Sequence, residues 1–166
     1  MSPSRPPVPA STTSSDVPVR RAEAADLPGI QRIVRDAYSP YIARIGKPPG
    51  PMLDDYAALI RAGEIWVTGT PVRGLVVLQD RADHLLLDNV AVDPACHGQG
   101  FGRALMAFAE CQAAQRGHRE LRLYTHELMT ENIALYARTG WTETGRGKQD
   151  GFDRVFFRKS VTPAAA

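Results

Sequence analysis

Two cysteines in 166 residues, Cys96 and Cys111, are too few for a disulfide framework or a cysteine-built metal site. Both are expected to be free thiols, with Cys111 a small hydrophobe buried on a helix. Neither sign of charge is in excess: 20 Lys and Arg oppose 18 Asp and Glu, a formal net charge of +2. A dedicated nucleic-acid binder concentrates basic residues in a patch or stripe, and no such run is visible. Long apolar runs are lacking too. Nothing approaches the roughly 18 residues of a membrane span, and the first residues do not carry the apolar stretch of a secretory signal. No segment repeats. What remains is 43% apolar and 23% charged, ordinary for a globular domain with a single core. The expectation is a cytoplasmic protein with no nucleic-acid partner and no membrane association, with homodimerisation left open.

Proline and serine gather at the start. Residues 1–16 have almost nothing to bury and read as a disordered tail, and residues 161–166 as a short C-terminal tail. The domain is expected over residues 17–160. Residues 17–21 suit an edge strand. Asp26 and Pro28 open a helix that carries Ile30, Ile33, Val34 and Ala37. The prolines of residues 40–51 are expected to end that helix in a loop, a candidate lid. A short helix follows from Asp54 or Asp55 to Gly63. Residues 65–68 and 72–79 form a hairpin around Gly69-Thr70-Pro71. A strand is expected over residues 121–125, a helix over 130–139, and strands over 141–144 and 154–159.

The chain is organised around residues 85–110. Leu85-Leu86-Leu87-Asp88-Asn89-Val90-Ala91-Val92 has strand length and composition. His97-Gly98-Gln99-Gly100-Phe101-Gly102 follows, and then Phe101, Leu105, Phe108 and Ala109 recur at helical spacing as far as Gly117. A strand therefore feeds a glycine-rich turn that opens a helix. There the first amides lack intrahelical partners and the helix dipole is positive, which suits an anion. The spacing G-x-G-x-G is not the G-x-G-x-x-G of a dinucleotide fold. Gly147-Lys148 is followed by Gln149, and Gly46-Lys47 by Pro48, so neither is a phosphate-binding Walker loop.

This stretch resembles the motif Arg/Gln-x-x-Gly-x-Gly/Ala of the GNAT family of N-acetyltransferases, with His97 in place of Arg or Gln. Asn132, Ala134, Leu135, Tyr136, Gly140 and Trp141 resemble that family's second motif, about thirty residues later and between the expected elements. The resemblance implies an α/β (α+β) acyl-CoA N-acyltransferase fold. That is a central mixed, largely antiparallel, twisted sheet of about seven strands, flanked by about four helices, with two central strands splayed apart.

The resemblance also implies a function: transfer of acetyl from acetyl-CoA to a primary amine, on a small molecule or a peptide, by direct attack in a ternary complex. A non-catalytic acyl-CoA-binding module, an acyltransferase for another acyl group, and one acting on a protein N-terminus stay open beside it. On this reading the amides of Gly98, Gln99, Gly100, Phe101, Gly102 and Arg103 bind the coenzyme A pyrophosphate, and His97 is a cofactor-binding residue beside them. A side chain at Gly100 or Gly102 would obstruct it or strain the turn. Val90, Ala91 and Val92 pair with the pantetheine amides like an added strand, and Asn132 bonds the same arm.

Tyr136 is the candidate for the thioester sulfur. The acceptor amine needs a base, since an ammonium of pKa near 10.4 is only ~0.04% neutral at pH 7. Asp88, placed by strand alternation on one face with Val90 and Val92, and Glu127 are the candidates, with His126 third and expected at the surface. Tyr38, Tyr41, Asp54, Asp55 and Tyr56, aromatic and acidic, are the acceptor-binding candidates.

Overall fold

The computed structural model describes residues 17–165; the expected N-terminal tail, residues 1–16, lies outside the described residues. In chain order the elements are β1 (Val19–Arg21), α1 (Leu27–Tyr38), α2 (Pro40–Ile45), α3 (Tyr56–Arg61), β2 (Ile65–Thr68), β3 (Gly74–Asp80) and β4 (Leu85–Val92). Then come α4 (Phe101–Gln115), β5 (Glu120–His126), α5 (Thr130–Arg138), β6 (Thr142–Gln149) and β7 (Phe152–Ser160). The strands form one seven-stranded sheet in the order β1-β2-β3-β4-β5-β7-β6. Among the described residues only β4 and β5 pair in parallel.

Each face of the sheet buries its own core. On one, Leu105, Ala109 and Ala113 of α4 lie four residues apart and close over Val76, Leu85, Leu87, Leu121 and Val155. On the other, Ile30, Ile33 and Val34 of α1 cover Ile65, Val67, Leu75 and Val77. Truncating one of these leucines or isoleucines to alanine costs about 2–5 kcal/mol. None of the described helices is long and apolar enough to cross a membrane.

Several expectations are corrected. The stretch expected as a loop after Tyr38 holds α2 and a 3-10 turn at Gly50–Leu53. Pro40 begins α2 instead of ending order, because the first helical position needs no N–H. Asp26 sits at the α1 N-cap position without capping it; its carboxylate accepts from Glu23 N (2.7 Å) and pairs with Arg20 (2.8 Å). Cys111 is exposed, and it is Cys96 that is buried. The β6–β7 hairpin is longer than its residue pattern suggests, reaching Gln149 and Phe152. After β7, Val161 packs on the core and Ala164 N donates to Ala114 O (2.9 Å).

Candidate active site

β4 and β5 pair only at Leu85–Leu121, Leu86–Arg122 and Leu87–Leu123. Beyond these, β4 keeps β3 as far as Val92–Gly74, and β5 keeps β7 as far as His126–Arg154. Each strand retains its outer partner and loses its inner one. The divergence starts at a slip in the β3–β4 register: Leu78 faces Leu87 and Val77 faces Asn89, so Asp88 is the extra residue of a β-bulge. A bulge bends a strand and re-aims a side chain. The alternation expected of Asp88 is thereby overturned. Leu85 and Leu87 face α4, and so do Val90 and Val92. Asp88 leaves that face and lines the cleft, where its carboxylate accepts a hydrogen bond from Tyr124 Oη at the fork between the strands.

Where β4 ends, Asp93 accepts from Ala95 N (3.0 Å) and pairs with Arg32 of α1 (3.0 Å), fixing a turn at Pro94–Cys96. Gly98 and Gly100 then take φ of +79° and +89°, a region that costs other L-residues about 1–2 kcal/mol. The first bond of α4 runs from Ala104 N to Gly100 O (3.0 Å), so the amides of Phe101, Gly102 and Arg103 have no partner within the helix. A Cβ on Gly98 or Gly100 would meet nothing within 4 Å, so the space over the turn is open. At Gly102 φ is not positive, and a Cβ would touch Val92 Cγ2 at an ordinary 3.6 Å. Strain is therefore confined to the first two glycines. His97, Gln99 and Arg103 are exposed around them.

Inside the cleft, Tyr136 of α5 packs its ring against Trp141 and Phe157, with centroids 5.9 and 5.6 Å away. Burial, with Tyr41 adding to it, pushes its phenol up to about 12. On the α1 side Tyr38 Oη donates to Asn89 Oδ1 (2.5 Å), Asn89 Nδ2 to Tyr56 Oη (3.0 Å), and Tyr56 Oη to Pro51 O (2.5 Å). Burial raises both phenols. Tyr38 and Tyr56 are thus neutral posts that fix β4 and the Gly50–Leu53 turn, with their hydroxyls already committed.

His126 is buried, which corrects its expected surface position. Its Nδ1 accepts from Leu128 N (3.0 Å), which places the neutral proton on Nε2, and desolvation lowers its pKa. Asp54 is shifted up by burial and then by the charge of Asp88, with Arg154 opposing.

The remaining candidates are dispersed. Asp55 caps α3, its Oδ1 accepting from Ala58 N (3.0 Å). Tyr41 lies under the Arg44 guanidinium (5.0 Å). Arg44 reaches Glu131 (2.8 Å) and Leu128 O (3.1 Å), and Lys47 Nζ donates to Gly151 O (2.7 Å). The proline-rich segment is thus strapped to α5 and to the β6–β7 turn. Asn132 lines the cleft at the start of α5. Glu127 does not line it; it is exposed, 3.9 Å from Arg146. Asn89, Tyr124 and Arg154 also line the cleft, and no site role was expected of them from the sequence. The signal for Arg154 was a cation in phase with Phe152 and Phe156 on a strand.

A sequence profile of the acetyltransferase (GNAT) domain matches residues 61–143, half of the chain and both motifs. The chain belongs to the GNAT acetyltransferases, a family whose acyl donor is acetyl-CoA. No curated protein matches it in sequence. Among solved structures it is similar to the ribosomal-protein-S18-alanine N-acetyltransferase of Escherichia coli, at 23% identity and TM-score 0.68 over 89% of this chain and 96% of that one. It is also similar to the PaiA N-acetyltransferase of Thermoplasma acidophilum in complex with coenzyme A (18%, 0.65, 87% and 98%). YncA of Salmonella typhimurium with acetyl-CoA is similar again (21%, 0.64, 92% and 98%). At these identities the likeness establishes the fold.

Proposed function

We propose that this protein is an acetyl-CoA-dependent N-acetyltransferase of the cytoplasm that acts on a primary amine of a small molecule or peptide. The observation that carries the proposal is the gap between β4 and β5 running beside an open, amide-lined turn at the end of β4. The turn fits a diphosphate. Two left-handed glycines keep side chains out of the open space, and three helical amides there lack helical partners.

Residues 97–103 then hold the pyrophosphate, with Gln99, Gly100 and Gly102 central. Val90, Ala91 and Val92 offer the inner edge of β4 to an extended chain of amides, and Asn132 meets the same arm from α5. Acetyl-CoA bound there supplies an activated thioester. Tyr136 donates a hydrogen bond to the sulfur. With its phenol near 12 and a thiol near 8.5, complete proton transfer is uphill by about 5 kcal/mol, so Tyr136 acts as a fixed donor to developing charge and keeps its proton. Asp88, re-aimed by the bulge and oriented by Tyr124, takes the proton from the acceptor ammonium, directly or through water. Glu127 is the weaker candidate for that role because it stands outside the cleft.

Thiol release from acetyl-CoA with a panel of primary amines tests the reading, with calorimetric binding in parallel. Turnover on an amine supports it. Tight binding of acetyl-CoA without turnover on any amine would replace it with a non-catalytic acyl-CoA-binding module.

A further inference from the structure

Arg154 of β7 has no task in acetyl transfer as described. It is 7% exposed and lines the same cleft as Tyr136 and Asp88. A guanidinium carries five N–H donors and stays charged, so burying it without acceptors is unfavourable. Its Nε has no hydrogen-bond partner, and among the described residues no carboxylate lies within ion-pair distance of it. The adjacent Asp153 is paired with Lys148 instead (3.8 Å).

Two aromatic rings hold the group: its central carbon lies 4.3 Å from the Tyr124 ring and 5.0 Å from the Phe152 ring. Ring contacts satisfy the faces of a guanidinium and leave its in-plane N–H edge for an acceptor. The backbone approaches closely on one side, since a Cβ on Gly50 would sit 3.4 Å from Nη2. The other charged or titratable groups nearby are Asp54, which feels the Arg154 charge, Asp88 behind Tyr124, neutral His126, and Lys47 over the Phe152 ring (4.2 Å). The cleft thus presents the Asp88 carboxylate and an unpaired planar cation, with Asp54 exposed outside its lining.

We propose that Arg154 docks a carboxylate carried by the acceptor, so that the acceptor is a zwitterionic amine, an amino acid or a close analogue. Its ammonium faces Asp88 while its carboxylate takes the bidentate edge of Arg154. The inference rests on the acetyltransferase reading for the acceptor's role, whereas anion binding by Arg154 stands independently of it.

The test follows the Arg154 Nε–H resonance of 15N-labelled protein, identified by its disappearance in Arg154→Lys. The probes are the product-like pair N-acetylglycine and N-acetylglycinamide. A saturable shift with the acid, at least tenfold stronger than with the amide, is expected; equal responses or none would overturn the proposal. In turnover, the kcat/KM ratio of glycine over glycinamide should fall about 10- to 100-fold in Arg154→Gln. A purely structural cation would lower both and leave the ratio unchanged, which would also overturn it. A saturating resonance shift in a protein that acetylates no amine would keep the anion site and remove the acetyltransferase reading.

Discussion

Gly100→Ala separates the backbone role of the glycine turn from its role toward phosphate. Gly100 has φ +89°, and a Cβ there meets nothing within 4 Å. Gly46, which closes α2, has φ +88° and equally open surroundings, but lies on the strap and not on the turn. Alanine at either site costs about 1–2 kcal/mol of backbone strain, a fall in Tm of roughly 2–8 °C for a domain of this size. Affinity should divide the two. At Gly100 the new methyl occupies the space where the diphosphate meets the helix amides. Losing one or two charge-assisted bonds at about 1.5–3 kcal/mol each weakens coenzyme A binding by roughly 10- to 1,000-fold or more. Gly46→Ala should leave the Kd within about twofold. Thermal melts and calorimetric titration with coenzyme A measure both quantities on the same samples. If the two variants melt alike and also bind alike, the turn does not hold the phosphates.

Three further outcomes are expected. Tyr136→Phe should lower kcat about 10- to 100-fold while acetyl-CoA affinity changes little; an unchanged kcat would remove its role at the sulfur. Asp88→Asn should lower kcat about 100-fold or more, whereas Glu127→Gln should change it little; the reverse result would exchange their roles. Burial holds His126 below its ordinary value near 6.5, so the unfolded chain takes up that proton first as pH falls. This contribution to stability is complete above about pH 6.5 and declines below it. His126→Asn, which can keep the acceptor for Leu128 N, should flatten the fall of Tm between roughly pH 7.5 and 5.5, and an unaltered slope would contradict the assignment.

The elements legible in the sequence are those whose local pattern and tertiary role coincide. The bounds of β4 and the start of α4 follow directly from an apolar run, two glycines and a helical repeat. α2 was hidden because Pro40 has the same identity whether it breaks a helix or begins one. All eight residues of β6 are exposed, so its extent comes from backbone pairing with β7 and not from alternation. The bulge at Asp88 was equally invisible, being a property of the β3–β4 register.

The same division runs through the site. Gly100, Asn132 and Tyr136 belong to local motifs. Asn89 and Tyr124 act through partners 33 to 51 residues away in sequence, and Arg154 reaches the cleft only because β7 pairs with β5. Tyr38 and Tyr56 showed the reverse: suitable chemistry by residue type, absorbed by Asn89 and Pro51 once the chain is folded.

The most direct test of the central claim is a crystal structure with coenzyme A bound. The expected result has the diphosphate on the amides of residues 98–103, the pantetheine along the inner edge of β4, and the sulfur within hydrogen-bonding reach of Tyr136 Oη. Coenzyme A bound elsewhere, or β4 and β5 paired beyond Leu87–Leu123 with the gap closed, would contradict it.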